Sequence, residues 1–329
     1  MMCLPFKVFI GNYLESIEKG ADTIIITGSC GPCRFGFYSL LQEDILRDLG
    51  YDIDLIVIDS PWEGHKEFIK NLRRITNANS IWGIYKSSRL ALDLIKRADN
   101  LTQMSNHVRA YAINKSQVNQ IMDDYLKTSV EVYGARGLID LIDETERKLS
   151  NIKQFKDYEP IKIGIIGEIY TIIEPFVNLE IERKLGNLGV IVDKSLTPTK
   201  WLEHHVINYP FGSKYENTKY KLAEPYLNTL VGGHGRETIG SAIYYKNIGY
   251  DGVIQILPLN CMPEIVAKSI LKNVSEDLDF PIMTLVVDEM EFRRVLFRSD
   301  EMTGEAGYIT RLEAFVDLLS KRREKLVIG

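Results

Sequence analysis

The residues in this sequence best suited to chemistry are its four cysteines. Cys30 and Cys33 form a C-x-x-C pair in GSCGPCRFG, Cys3 opens CLPFK, and Cys261 lies in LNCMPE. Three of the four are followed, after one residue, by proline. Structural cysteines favour apolar strands and helices, whereas thiolate ligands need irregular, rigid backbone able to wrap an ion or a cluster. Up to four thiolates from three loops suit tetrahedral zinc or an iron–sulfur cluster. A C-x-x-C pair also serves redox dithiols, so unligated or redox-active thiols stay open at this point. Structural zinc usually draws on two such pairs, and the sequence holds one.

Further polar residues follow predicted strands, where open α/β sheets gather their ligands. Glu168 and Tyr170 come directly after IKIGIIG and are the candidates for proton transfer or for a hydrogen bond to a thiolate centre. Arg34 follows Cys33 and is placed to neutralise thiolate charge, or to make a salt bridge. In GGHGRE, His234 and Arg236 are a candidate substrate or anion site, because glycines admit close backbone approach and a helix start attracts phosphate or carboxylate. A tight turn with Arg236 paired to Glu237 is the alternative. His204 and His205 are adjacent in a helical pattern, which turns them different ways and argues against a shared metal. Asp288, Glu289 and Glu305 are expected to frame a turn and cap the last helix, and KRREK (321–325) to be its solvated end.

Parallel α/β units position these groups. The runs at 23–27, 53–59, 161–167, 190–193, 252–258 and 281–287 are β-branched and short, with amphipathic stretches between them, the first at about 37–49. Cys3 precedes what reads as a short helix. Between Pro61 and Pro160 there is no proline, and residues 89–155 space their apolar side chains at three and four, which predicts a helical insertion closing the first domain. The fold class expected is α/β: two Rossmann-like parallel-sheet domains, 1–157 with the helical segment 89–155, and 158–329, with the cysteines facing each other across a cleft. SNIKQFKDYEP (150–160) is the linker. The first domain opens without a preceding strand, so the natural chain is expected to begin further upstream. DEM occurs at 288–290 and again at 300–302, enclosing EFRRVLFRS, which resembles a translated sequencing adapter. Residues 291–302 are therefore read as an artefactual insertion, with a natural surface loop as the alternative; without them a strand, a turn and a helix follow in smooth succession.

The 329 residues are 45% hydrophobic and 26% charged, as in a globular protein. A net charge of -5 argues against a broadly basic nucleic-acid surface. No apolar run approaches the roughly 18 residues that span a bilayer, and no secretory signal pattern opens the chain, so no membrane and a cytoplasmic location are expected.

CLPFKV, GADTIIITGSCGPCRFGFY, GIIGEIY, ERKLGNLGV, VGGHGRETIGSA, ILPLNCMPEIVA and, without the insert, DEMTGEAGYITRLEAFVD resemble the 2-hydroxyacyl-CoA dehydratase D-component superfamily. The likeness is to its CoA protein activase, or acyl-CoA dehydratase activase-related, branch. It implies two Rossmann-like domains around a [4Fe–4S] cluster held by cysteines from separate loops. In related dehydratases a separate ATP-hydrolysing activase supplies a low-potential electron, and a ketyl radical forms from the CoA thioester before water leaves. By resemblance, Cys3, Cys33 and Cys261 match the ligand positions best and Cys30 least. Three ligands leave an iron open for substrate; four close the cluster and favour electron transfer. A double-cubane cluster is not expected from four cysteines. The sequence has no G-x-x-x-x-G-K-[ST] loop, so ATP hydrolysis is assigned to a partner. The expected partners are that activase, a homologous dehydratase subunit and an acyl-CoA or other small substrate. A non-catalytic cluster carrier or assembly subunit, and a zinc-stabilised or metal-free interaction module, remain as alternatives.

Overall fold

In a computed structural model of the chain, residues 2–28, 33–58, 64–76, 80–208, 214–287 and 303–328 are described. Every β-branched run expected to be a strand is one. β1 (Thr23–Thr27) pairs in parallel with β2 (Asp54–Ile58). β3 (Lys162–Gly167), β4 (Ile191–Lys194), β5 (Gly252–Pro258) and β6 (Ile282–Val287) form a parallel sheet in the order β4-β3-β5-β6. The molecule is thus a mixed α/β protein with parallel sheets.

The unbroken apolar character of β3 and β5 follows from cover on both faces of the sheet. On one face, Ile163, Ile165, Ile254 and Ile256 pack with Ile181 and Leu185 of α8 (Ile181–Asn187) and with Leu312 and Phe315 of the last helix, α13 (Thr303–Ile328). Leu4 of α1 (Leu4–Glu18) joins this face. On the other, Ile166 and Val253 meet Ile239 and Tyr245 of α11 (Gly235–Asn247) and Ala267 and Leu271 of α12 (Met262–Asp277). Gly164 exists for Tyr245, since a Cβ there would lie 2.5 Å from the ring.

Among the described residues, four helices separate β2 from β3: α3 (His65–Thr76), α4 (Ile81–Tyr111), α5 (Lys115–Ser129) and α6 (Ala135–Ser150). Helix therefore starts well before residue 89. Leu101, Val108, Val118, Ile142 and Leu149 form a core among α4, α5 and α6. The same α4 packs on α8, β4 and α9 (Pro198–Leu202), where Asn106 donates to Glu182 at 2.5 Å and buried Arg109 reaches Asn119 at 2.9 Å. α1 has 15 residues, so the helix after Cys3 is not short.

KRREK is not merely solvated. Arg323 donates to Asp251 Oδ1 at 3.0 Å and to the carbonyls of Glu159 at 3.0 Å and Pro160 at 3.1 Å, while Arg322 reaches the carbonyl of Asp279. Asp251 in turn accepts the backbone N–H of Lys162 at 2.7 Å. One guanidinium thus fastens α13 to the segment that enters β3. Arg323→Ala is expected to cost about 2–3 kcal/mol, the range for charged hydrogen bonds lost from a half-buried partner, read as a lower urea midpoint at unchanged slope.

Cys30, Asp288, Glu289 and the stretch 291–302 lie outside the described residues, as does the side chain of Glu305 in the first turn of α13. Among the described residues no helix is long and apolar enough to cross a membrane.

Candidate functional site

The three described cysteines occupy one kind of position. Cys3 is the N-cap of α1, Cys33 the N-cap of a 3-10 turn (Arg34–Phe37) that leads into α2 (Tyr38–Asp48), and Cys261 the N-cap of α12. All three have extended backbone, and none makes a side-chain cap hydrogen bond. Pro5 and Pro263 fix the first turns of α1 and α12, where a missing N–H costs nothing. Before Cys261, Asn260 takes φ 68°, a left-handed conformation that asparagine tolerates, and so turns the chain from β5 into α12.

Long-range contacts bring these N-caps together. Cys3 Sγ and Tyr38 Oη share a hydrogen bond. Phe6 meets Tyr38 edge-on at 4.9 Å, Phe9 meets Tyr170 at 4.9 Å, and Phe35 lies 5.3 Å from Tyr38. This aromatic cluster locks α1 to the turn that carries Cys33. A Cβ on Gly233 would come within 3.9 Å of Cys33 Sγ and 3.2 Å of Pro263 Cγ, and one on Gly235 within 2.6 Å of the Pro263 carbonyl oxygen. The glycines of GGHGRE therefore serve a close approach to Cys33 and to the start of α12.

Burial pushes the Cys3 thiol up, against the pull of Tyr38, and pushes Cys261 up further, with the carboxylates of Glu264 and Glu168 adding to it. The Tyr38 hydroxyl is also raised, first by burial and then by Cys3, with Cys33 and Cys261 contributing. Cys3 feels the charge of Cys33, and Cys261 that of Cys3, yet the three sulfurs do not all lie within 4.8 Å. Tetrahedral zinc, with bonds of 2.3 Å, would need sulfurs about 3.8 Å apart.

Glu168 caps α7 (Ile169–Ile173), its two oxygens accepting the N–H groups of Tyr170 at 3.0 Å and Thr171 at 2.9 Å. Burial raises its pKa against those bonds, and its charge is felt by Cys3 and Cys261. Tyr170 packs on Phe9, its hydroxyl pushed up to about 12 by burial. Arg34 is exposed at the start of the 3-10 turn. Sequence reasoning did not single out Tyr38, five residues after Cys33, or Glu264, three after Cys261. Glu264 is buried, accepts from Thr238 at 2.8 Å and Gln255 at 2.9 Å, and is raised by burial to about 7.

His234 is the N-cap of α11, with Nε2 3.7 Å from Glu237 Oε2. The Arg236 guanidinium donates to the Tyr220 carbonyl at 3.2 Å and lies over that ring, so it is directed at α10 (Lys214–Ala223) and no contact with Glu237 places it in the expected pair. His204 and His205 do converge, contrary to the expectation from helical spacing: their rings are 4.6 Å apart, and with Glu237 they offer donor atoms within 4.8 Å of one another. Both histidines stand in a π-helical turn (Glu203–Ile207), and Glu237 reaches them from α11. Burial lowers the pKa of His204 and of His234 to about 4. A separate polar cavity of about 300 Å³ lies between α4 and β4, lined by Lys194, Lys200, Asp99, Asp193 and Glu203, and no described cysteine faces it.

No protein-family model matches the sequence, and no curated protein matches it.

Proposed function

We propose that this chain is an iron–sulfur protein of the 2-hydroxyacyl-CoA dehydratase type, with Cys3, Cys33 and Cys261 holding a [4Fe–4S] cluster between two Rossmann-like units, 1–157 and 158–329. The observation that carries the reading is three thiols at three N-caps, brought together around Tyr38. Serine would cap each of these turns better than cysteine, by about 1 kcal/mol. Cysteine at three caps in one place makes sense if sulfur is wanted there, and the Cys3 and Cys261 sulfurs still feel the backbone N–H groups of Phe6 and Glu264. The donors fit the group, because a cubane takes one thiolate on each iron and so accepts sulfurs spaced more widely than a single zinc ion does.

When bound, the cluster would supply low-potential electron transfer to or from an acyl-CoA thioester or another small substrate. The chain's own residues hold and tune it. Tyr38 donates to the Cys3 thiolate once that thiol has lost its proton, and α1 and α12 direct their positive ends at Cys3 and Cys261. Glu168, fixed as a cap, keeps a carboxylate beside Cys3 and Cys261, and Tyr170 buttresses α1 through Phe9. Cys30 is the candidate fourth ligand. Arg34 offers a positive charge next to Cys33 for an anionic group. An ATP-dependent activase, acting in the cytoplasm, supplies the electron, with a homologous dehydratase subunit as the further partner.

Anaerobic purification, followed by reconstitution with ferrous iron and sulfide, tests this. About four iron and four acid-labile sulfide per chain are expected. Protein without sulfide after both steps overturns the reading, whatever zinc it contains. A spectral response of the cluster to added acyl-CoA would mark an enzyme, and its lack a carrier.

A further inference from the structure

We infer that His204, His205 and Glu237 form a binding site for one divalent transition-metal ion, distinct from the cysteines. The inference does not depend on the cluster. Its first support is geometric: three ligand atoms, from the π-helical turn and from α11, lie within 4.8 Å of one another. Tetrahedral zinc needs nitrogen and oxygen donors about 3.3 Å apart, a gap that small side-chain rotations close.

The second support is the way neighbours hold the ligands. His205 Nδ1 is 3.1 Å from the carbonyl oxygen of Trp201, which only accepts, so the ring proton of neutral His205 sits on Nδ1. That leaves the Nε2 lone pair for a metal, and an imidazole whose other N–H is held by a carbonyl is the usual arrangement of a metal-binding histidine. Trp201 also stacks on the His205 ring at 5.1 Å, fixing its plane.

The third support is Glu237, which is 3% exposed. Its Oε1 accepts from Tyr220 Oη at 2.6 Å, while its Oε2 is buried and accepts no hydrogen bond. A buried carboxylate oxygen without a donor is costly. The neighbouring buried ammonium gives Oε2 no hydrogen bond, because Lys219 Nζ is held by Glu216 at 2.8 Å and by the Ser195 carbonyl at 3.0 Å; its charge favours the carboxylate, but burial still raises the Glu237 pKa. A divalent cation at the histidines would satisfy Oε2 and supply the missing charge.

Two imidazoles and one carboxylate, with further positions open, are a donor set for zinc or for ferrous iron, with softer thiolate absent. His234 Nε2 lies 3.7 Å from Oε2 and is the next nitrogen beside the three donors. Since Gly233 approaches Cys33, the turn carrying His234 also runs from this site to the thiols.

The test uses the full chain, freed of metal by chelator and titrated with zinc or cobalt ions alone. We expect one equivalent of cobalt to bind with visible d–d absorption and without the near-ultraviolet charge transfer that marks thiolate. His205→Ala and the near-isosteric Glu237→Gln should each weaken zinc binding by more than about 100-fold, beyond the ~10–100-fold cost of losing an outer partner. Circular dichroism melts check that the variants fold. If they do not, Tyr220→Phe, which removes only the hydroxyl holding Glu237, should weaken binding by about 10–100-fold. Wild-type affinity in the folded variants, or cobalt bound with thiolate bands alone, overturns the inference. Loss of iron and sulfide with this zinc retained would sink the cluster reading and leave the histidine site standing.

Discussion

Cys261→Ser is expected to strip iron and sulfide from the reconstituted protein by more than about 100-fold in affinity, and to leave the apoprotein as stable as before or more so. Both halves follow from one position. Cys261 is the N-cap of α12, its side chain makes no cap bond, and serine is among the best residues for that role, worth about 1 kcal/mol. Serine therefore tests sulfur without breaking the helix. Burial holds the Cys261 thiol above its ordinary range, with Glu264 and Glu168 adding to the effect, so the free protein keeps it protonated at neutral pH. Binding iron must displace that proton, and a serine hydroxyl gives its proton up far less readily. Cys3→Ser and Cys33→Ser should lose iron and sulfide alike, since both thiols stand at N-caps, with Cys3 also held by Tyr38. Cys30→Ala separates a closed cluster from an open one: retention of full iron supports three protein ligands. Wild-type iron and sulfide in all three serine variants would contradict the assignment.

How far the sequence reveals this arrangement depends on the range of the interaction concerned. Strands were readable because Ile163, Ile165, Ile254 and Ile256 are buried in a sheet covered on both sides, which makes each strand a short continuous apolar run. The N-cap positions of Cys3 and Cys261 were readable because each is an irregular residue followed, after one residue, by proline. What they face was not readable. Tyr38 reaches Cys3 across 35 residues, and the aromatic cluster that arranges this has no period in the sequence. The start of the helical region was missed although α3 carries Phe68, Ile69, Leu72 and Ile75 at helical spacing, because the absence of proline was read together with the longer apolar pattern that begins at residue 89. The approach of the two histidine rings was hidden for a sharper reason. Rotation of about 100° per residue separates neighbours on an ideal helix, but a π turn departs from that spacing, and Glu237 enters from another helix. A local rule was applied where local geometry was irregular.

Gly167→Ala is the substitution expected to cost most stability, about 4 kcal/mol or more, seen as a drop of about 10 °C in Tm. Gly167 ends β3 at φ 131°, which L side chains rarely adopt, and a Cβ there would lie 2.0 Å from the carbonyl oxygen of Ile256. No rotamer change relieves that contact, because the obstacle is backbone of the neighbouring strand. That same carbonyl accepts the N–H of Glu168 at 3.1 Å and the Thr171 hydroxyl at 3.3 Å. Forcing β3 from β5 here would undo the cap of α7 and move Glu168 away from Cys3 and Cys261. The glycine in GIIGEIY is thus needed for the turn that places the carboxylate, and the strain of alanine would fall on the candidate site itself. Gly11→Ala is the control: it lies exposed inside α1 with nothing within 4 Å of its Cβ, so the same change should stabilise by up to about 1 kcal/mol. Equal melting temperatures for the two variants would show that the close strand contact at Gly167 is not what fixes Glu168.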